Sequence, residues 1–358
     1  IGFTGEYGIT GGGGLEFNNF RGLGQRVSLS FSTGTNYSVY QATSKYRSIS
    51  LSFTDPMVKD TPNLVGFSIF YTFRGAATNY SFPLDFSMLG GSLSWGRRFR
   101  WPDDYFRGHW VLRAMKKTYE GTQEELDQYV KGFSSTLGNG ITQVITRDSR
   151  DRPEFTTSGS RFSLETTISG GSLGGNEDFH KHVLNLEWFT PTFWKFVLMS
   201  SVKLGVIKPL VSNSDELSII PFDEKFIMGG NGIPYGNMLR GYPDNSIGPQ
   251  TTSGRPLGGN AMMKFSSEFR FPISENPVVY ALLFTELGNV WDSMNMSIPL
   301  ELERSGPFSF NRSAGVGFRF FMPMLGMLGF DMGYGFDDIA GIGKPQGWTY
   351  TITFGQPF

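Results

Sequence analysis

One arginine stands out in the stretch "GGNGIPYGNMLRGYPDNSIGP", which is otherwise rich in Gly, Pro and Asn. Leu239 precedes Arg240, and Gly241 and Tyr242 follow it. Most loop arginines are solvated and have no specific partner, which is one interpretation of Arg240. The other is ion-pair chemistry, because the planar guanidinium fork can bind a carboxylate through two hydrogen bonds. That second interpretation requires the segment to fold back onto an acidic wall.

Two downstream glutamates are candidate partners for this arginine. In "AMMKFSSEFRF", the alternation of side chains places Glu268 on a polar face together with Lys264 and Arg270. Glu286 follows in "VVYALLFTEL", which is apolar on both faces, so the pattern leaves its direction open.

Three further motifs suggest chemistry and are set aside. Residues 170–174 match G-x-S-x-G, but they lie in a predicted hairpin with no strand-to-helix elbow. His180 and His182 share a strand face without an evident third metal ligand, and "TGGGG" lacks the Lys-Ser/Thr of a P-loop. We therefore predict no catalytic residue, no metal, no cofactor and no enzymatic activity.

Composition restricts the classes of protein that remain. The 358 residues include 34 Phe, 14 Tyr, 7 Trp and 47 Gly, with a net charge of -1 and no Cys. The charge balance gives no basis for capturing nucleic acid, and the lack of Cys excludes disulfides and thiolate metal sites. The sequence contains no run of about 18 apolar residues, the length that a transmembrane helix requires. Aromatic and glycine-rich composition suits strands that are apolar on one face only.

Alternation with a period of two runs from end to end of the chain. In "RVSLSFS", "RSISLSFT" and "WTYTITF", large apolar residues alternate with Ser or Thr. Apolar-outward and polar-inward strands of about ten residues are typical of a transmembrane antiparallel β-barrel, whose closure leaves no unpaired backbone edge in lipid. We predict an all-β fold with sixteen strands: Gly2–Thr10, Gly14–Asn19, Gln25–Thr33, Tyr46–Thr54, Leu64–Arg74, Phe86–Phe99, Tyr105–Tyr119, Phe133–Asp148, Gly159–Ser169, Asp178–Thr190, Phe196–Ile207, Asn260–Phe271, Val278–Trp291, Phe310–Phe321, Leu328–Phe336 and Trp348–Phe354.

One connection is far longer than the others. Lys208–Gly259 exceeds the roughly 12 to 15 residues beyond which a loop without structure is uncommon, and it contains Arg240. We predict that this long connection, designated loop 6, folds into the lumen. The whole chain, 1–358, is expected to be one barrel domain, and its start at Ile1 without Met suggests a mature or trimmed protein.

Several ordered motifs resemble the Omp85 superfamily, in particular its outer-membrane assembly factors. They are "FIMGGNGIPYGNMLRGYPDNSIGP", "LGGNAMMKFSSEFRFPI", "LLFTELGNVWD" and "SAGVGFRFFMPMLGMLGFDMGYGFD", with a weaker likeness in "TRDSRDRPEFTTSGSRF". The resemblance implies that the loop-six motif, Leu239 to Tyr242, lies inside the barrel against Glu268 and Glu286. Leu239 and Tyr242 stand where the family often has Val and Phe. The periplasmic POTRA repeats expected before such a barrel are absent from this sequence.

The two ends of the chain form the expected seam. Gly2, Gly5 and Gly8 weaken the first strand. Pro357 follows the last strand and has no backbone N–H to donate to a ladder. Ordinary fraying at termini is the alternative. The resemblance implies a lateral gate between the first and last strands, where an incoming strand could pair with an exposed edge. The closing side of this gate consists of Trp348, Tyr350, Ile352, Phe354, Pro357 and Phe358.

The resemblance also implies a function and a location. We expect a protein of the bacterial outer membrane that folds and inserts unfolded outer-membrane proteins, in contact with outer-membrane lipids and with accessory lipoproteins of an assembly complex. The alternative is a polypeptide translocation pore of the TamA-like or two-partner secretion type. A lipase-like barrel enzyme would need a Ser/His constellation that the sequence does not offer.

Overall fold

The computed structural model describes residues 2–4, 8–38, 41–76, 83–210, 218–232, 236–251, 254–292, 309–322, 326–339 and 347–355. These residues form one antiparallel sheet whose strands follow one another in chain order. The strands are β1 Gly2–Thr4, β2 Gly8–Phe20, β3 Gln25–Ser38, β4 Gln41–Asp55, β5 Asn63–Arg74, β6 Asp85–Arg98, β7 Phe106–Glu120, β8 Ser135–Asp148, β9 Gly159–Ser169, β10 Phe179–Pro191, β11 Val197–Lys208, β12 Ala261–Glu275, β13 Val278–Trp291, β14 Asn311–Met322, β15 Gly326–Gly335 and β16 Gly347–Gly355. The predicted all-β class is confirmed.

The two faces of the sheet differ as the alternation predicts. On one face, which we call the inner face, Ser28 and Ser52 join their hydroxyls at 2.7 Å across β3 and β4. On the opposite, outer face, Leu29, Phe31 and Leu51 are exposed. Since ladder partners point to the same side of a sheet, the register carries these two faces through all the strands. An exposed apolar outer face suits contact with lipid rather than with water.

The first strand is shorter than predicted. Gly2–Thr10 is not one strand, because β1 spans only Gly2–Thr4 and pairs back on residues 8–10 of β2. The glycine run at 11–14 does not end a strand; it continues β2 beside β3. A Cβ at Gly12 would lie 2.7 Å from the carbonyl oxygen of Phe31, so the glycines allow a close approach of the two backbones. The other fourteen predicted strands each overlap one observed strand.

The ends of the sheet approach each other without pairing in the described residues. Cα atoms of β1 and β16 come within 8 Å of each other. No ladder joins the two strands in the residues that the structure describes, whereas every other neighbouring pair has one. Because β1 has only three residues, the count of sixteen full-length strands and the closure of the barrel both stay predictions.

One α-helix, α1 Gln123–Val130, lies in the described residues between β7 and β8. Thr122 begins it with a capping box, in which its hydroxyl accepts from the Glu125 amide and the Glu125 carboxylate accepts from the Thr122 amide. Its buried residues, Tyr129 and Val130, pack on Phe222 of the β11–β12 connection. No helix in the described ranges is long and apolar enough to cross a membrane.

The connection between β11 and β12 packs against the inner face. Its residues Met228, Leu239 and Ile247 are buried in one apolar cluster with Met262 of β12 and Val290 of β13. Isolated β-bridges tie its parts together, for example between Met228 and Ile247. The buried apolar side chains hold the described part of this connection, which we call the long segment (residues 209–260), close to the strands that carry the candidate acids.

Candidate functional site

The backbone around Arg240 is shaped by its neighbours. Gly241 has a φ of +89°, and a Cβ there would lie 2.9 Å from the Cβ of Ser313, so the position favours glycine on both counts. The Tyr242 hydroxyl donates to the Arg312 carbonyl at 2.7 Å. Leu239 is fully buried in the cluster below the long segment. These contacts fix the direction in which the arginine side chain leaves the backbone.

Arg240 and Glu286 share three hydrogen bonds. The backbone amide of Arg240 donates to Oε2 of Glu286 at 2.8 Å, and Nε and Nη2 donate to Oε1 at 3.1 and 2.8 Å. Nη2 also lies 2.8 Å from Oε1 of Glu268, so the structure brings together the arginine and both glutamates named by the sequence. The guanidinium carbon lies 3.7 Å from the centre of the Phe284 ring, a cation–π contact.

Asp331 of β15 completes the site, and the sequence reasoning missed it. Its Oδ1 accepts from Nη1 of Arg240 at 3.3 Å, and its two oxygens each accept from Arg319 at 2.9 Å. Alternation in "GMLGFDMGYG" between the two faces would have placed Asp331 inward. The pattern does not indicate that β15 lies close to Arg240.

The buried charges of this site nearly balance. On the inner face, Lys264 lies 3.0 Å from Glu286, Arg270 lies 2.8 Å from Glu268, and Arg319 pairs with Asp331. The wall therefore carries three bases for its three acids, and Arg240 adds a fourth base. Burial alone would lower the pKa of Arg240, but Glu286, then Glu268 and Asp331, outweigh it and raise that pKa. An ion-pair network of this kind suits anchoring of the long segment to the strands.

A second ionic contact holds the beginning of the long segment, and it too was not predicted. Lys117 of β7 is fully buried and lies 2.8 Å from Asp223 and 3.3 Å from Glu177. Next to it, Lys181 of β10 lies 3.1 Å from Glu224. The sequence signal was ambiguous, because Lys116 and Lys117 are adjacent and only one of them can face inward. The long segment is thus held to β7 and β10 at one point and to β12, β13 and β15 at another.

The predicted gate residues lie at the two ends of the sheet. Gly2 and Gly8 pair within the first hairpin, opposite Thr10 and Thr4. On the closing side, Trp348, Tyr350 and Ile352 are exposed on the outer face of β16, and the exposed fraction of Tyr350 is 79%. Phe354 lies in the same strand. Gly5, Pro357 and Phe358 lie outside the described residues.

The motifs that were set aside have ordinary surroundings. Residues 171–173 form a short 3-10 turn between β9 and β10, with no helix behind them. His180 and His182 lie 3.1 Å apart, nitrogen to nitrogen, on the outer face. Over the described ranges, no three His, Cys, Asp or Glu side chains are grouped as a metal ion would require.

Sequence comparison identifies the family of the chain that carries this ion-pair site. Residues 19–356 match the Omp85 superfamily domain. The chain belongs to the Omp85 superfamily. This membership confirms both the sequence resemblance and the predicted location in an outer membrane.

Two curated relatives are similar to this Omp85 chain. The outer membrane protein assembly factor BamA of Nitratidesulfovibrio vulgaris is 24% identical over 319 residues, which are 88% of this chain and 36% of that protein. The mouse sorting and assembly machinery component 50 homolog is 24% identical over 252 residues, 69% of this chain and 47% of that protein. The chain thus spans about a third to a half of the length of these relatives.

Solved structures show the same fold. The crystal structure of Haemophilus ducreyi BamA lacking POTRA domains 1–3 gives a TM-score of 0.77 at 18% identity, covering 98% of this Omp85 chain and 69% of that one. CdiB from Escherichia coli gives 0.62 at 15% identity, covering 98% and 59%. The predicted likeness to the outer-membrane assembly factors of the superfamily is confirmed at the level of fold.

Proposed function

We propose that this chain is the membrane domain of an outer-membrane protein assembly factor, which folds and inserts β-barrel proteins through a lateral gate between its first and last strands. The single observation that carries the proposal is the seam. β1 has three residues, and it approaches β16 without a ladder in the described part of the chain. Unpaired backbone groups are costly in lipid, so an edge of this kind favours the addition of a strand from a client protein.

The Arg240 site has a mechanical role in this proposal. Through Glu268, Glu286 and Asp331, Arg240 links the long segment to β12, β13 and β15, and β15 is the ladder neighbour of the gate strand β16. A fixed wall beside the gate lets the seam part without distorting the rest of the sheet. The ion pairs therefore act by positioning strands and carry out no covalent chemistry.

The proposed partners follow from the same mechanism. They are unfolded outer-membrane proteins as clients, outer-membrane lipids around the exposed apolar face, and accessory lipoproteins of an assembly complex. No cofactor or enzymatic step is needed, because the folding of the client supplies the free energy. The names of the two relatives, an outer membrane protein assembly factor and a sorting and assembly machinery component, support this choice.

Crosslinking of the seam tests the gate, and the absence of native Cys makes the experiment specific. Thr4→Cys is combined in the full-length protein with Thr349→Cys, Thr351→Cys or Thr353→Cys, one at a time. A disulfide needs Cα atoms within about 7 Å, so its formation reports proximity of the two strands. We expect at least one pair to oxidise, to block insertion of client barrels into liposomes, and to recover activity with reductant.

The control pair crosslinks an existing ladder and leaves the seam free. Leu29 and Leu51 are register partners on β3 and β4, outside the two gate strands, so cysteines there should oxidise without loss of insertion. If a locked seam still inserts clients, the gate is refuted. If none of the three seam pairs oxidises, β1 and β16 do not meet in the way proposed.

A polypeptide translocation pore of the TamA-like or two-partner secretion type is the second candidate. The likeness to CdiB, with a TM-score of 0.62, favours it. Cargo that passes through the lumen never separates the seam strands. Passage of polypeptide into liposomes that is unchanged when the seam is locked would therefore support the pore over the assembly factor.

A further inference from the structure

Three basic side chains cluster on the outer face, where the rest of the surface is apolar. His180 and His182 stand on β10, and Lys208 ends β11 directly opposite His180 in the ladder. Opposite His180 on the other side is Ile168 of β9, which is exposed on the outer face. All three bases lie at the end of the sheet from which the long segment departs, so they sit at the edge of the apolar belt.

No acid shares this surface. The outer face of β9, β10 and β11 is completed by residues that are neutral, namely Ser160, Phe162, Leu164, Thr166, Ile168, Leu184, Leu186, Trp188, Thr190, Leu198, Ser200, Val202, Leu204 and Val206. The glutamates of these strands, Glu165 and Glu187, point to the inner face. A lysine without a counter-charge, together with two polar imidazoles, is unfavourable on a lipid-facing surface unless an anionic group binds there.

Hydrogen bonds fix the geometry of the two imidazoles. The Thr166 hydroxyl lies 3.0 Å from Nδ1 of His182, and Nε2 of His182 lies 3.1 Å from Nδ1 of His180. This chain uses both nitrogens of His182 and one of His180. The remaining Nε2 of His180 can then donate to a ligand beside the Lys208 ammonium group, because the two residues are cross-strand neighbours.

We propose that His180, His182 and Lys208 form a binding site for the headgroup phosphate of a net-anionic phospholipid. The apolar belt below the site accommodates the acyl chains, and the three bases at its edge match the depth and charge of a phosphate group. Lipid is the occupant because the surface around the bases is the one exposed to the bilayer. The proposal does not depend on the function of the seam.

Native mass spectrometry tests the site by measuring the lipid affinity of the full-length protein. The protein is released from detergent in the presence of phosphatidylglycerol or of phosphatidylcholine with the same acyl chains. Removing one base near an anionic lipid should weaken binding about fivefold, so we expect this loss of phosphatidylglycerol affinity for Lys208→Gln. Affinity for phosphatidylcholine should stay unchanged. The matched control is Lys116→Gln, which removes an exposed lysine of the outer face near the same end of the sheet without a neighbouring base.

The imidazoles provide a second measurement on the same site. No carboxylate faces His180 on the outer face from β9 or β11. The double variant His180→Asn, His182→Asn should therefore bind phosphatidylglycerol more weakly than the wild type and keep the contribution of Lys208. Unchanged affinity of the double variant would show that the imidazoles do not contact the phosphate.

A third measurement needs no variant and so does not depend on folding of one. Phosphatidylglycerol vesicles should slow the acetylation of Lys208 relative to Lys116 in the wild-type protein, and phosphatidylcholine vesicles should not. Equal losses of affinity in the Lys208 and Lys116 variants would overturn the proposal, because they would indicate only the charge of the surface. Equal acetylation of the two lysines in both kinds of vesicle would overturn it as well.

Discussion

Replacing Arg240 by alanine should release the long segment from the inner face. The substitution removes the side-chain contacts to Glu286, Glu268 and Asp331, while the backbone amide can still donate to Glu286. Breaking a buried pair costs about 3 to 5 kcal/mol when it leaves uncompensated charge. Here the wall keeps three bases for its three acids, so we expect the lower end of that range, about 3 kcal/mol. Such a change raises the released population about 100-fold.

Hydrogen exchange of the backbone amides in residues 236–251 measures this release directly. The amides of Leu239 and Arg240 are bonded to Gly230 and Glu286, so they exchange only when the segment opens. Their exchange should accelerate about 100-fold in Arg240→Ala.

Arg255→Ala is the matched control on the same segment. Its side chain is 42% exposed and pairs with Glu125 at 3.3 Å, a contact worth at most about 1 kcal/mol. The control removes the same charge and should change exchange in residues 236–251 by less than about fivefold. Exchange in Arg240→Ala that equals that of the wild type, or that of Arg255→Ala, would refute the ion-pair anchor.

Three smaller changes extend the test to neighbouring features. Gly241→Ala should destabilise the docked segment by about 1 to 3 kcal/mol, because the new Cβ meets Ser313 and the residue has a positive φ; a wild-type exchange rate would contradict this. Lys117→Ala should lower the thermal unfolding midpoint, since a buried Asp223 loses its partner at a cost of about 3 to 5 kcal/mol, and an unchanged midpoint would show that this contact contributes nothing. Thr122→Ala should cost the first turn of α1 about 1 kcal/mol, seen as faster exchange there but not in residues 236–251.

The glycine run shows how a correct local principle can give a wrong boundary. Glycine weakens a strand on average, so the sequence suggested a break between Gly2–Thr10 and a second strand from Gly14. In the structure, β3 lies so close that a Cβ at Gly12 or Gly14 would contact its carbonyl oxygens. The partner strand therefore decides that this run stays extended, and no residue within the run could have indicated it.

The acids of the candidate site show how far alternation can predict a contact. Glu268 was assigned to the inner face because its neighbours at two-residue spacing are polar. Glu286 has apolar neighbours on both sides, and its direction follows only from its ladder partner, Ser266. Asp331 lies 91 positions from Arg240 in the chain, so the pattern could give its face but not its partner.

By itself the sequence determined the all-β class, the two faces of most strands, the family and the central arginine. These properties depend on the period of two and on contiguous motifs, which are local. Only the tertiary structure decided which acids Arg240 contacts, that Lys117 and Asp223 form a second anchor, and that β1 is a three-residue strand beside β2. Those outcomes depend on register and on the path of the long segment, because ion pairs between distant strands require a geometry that no single strand encodes.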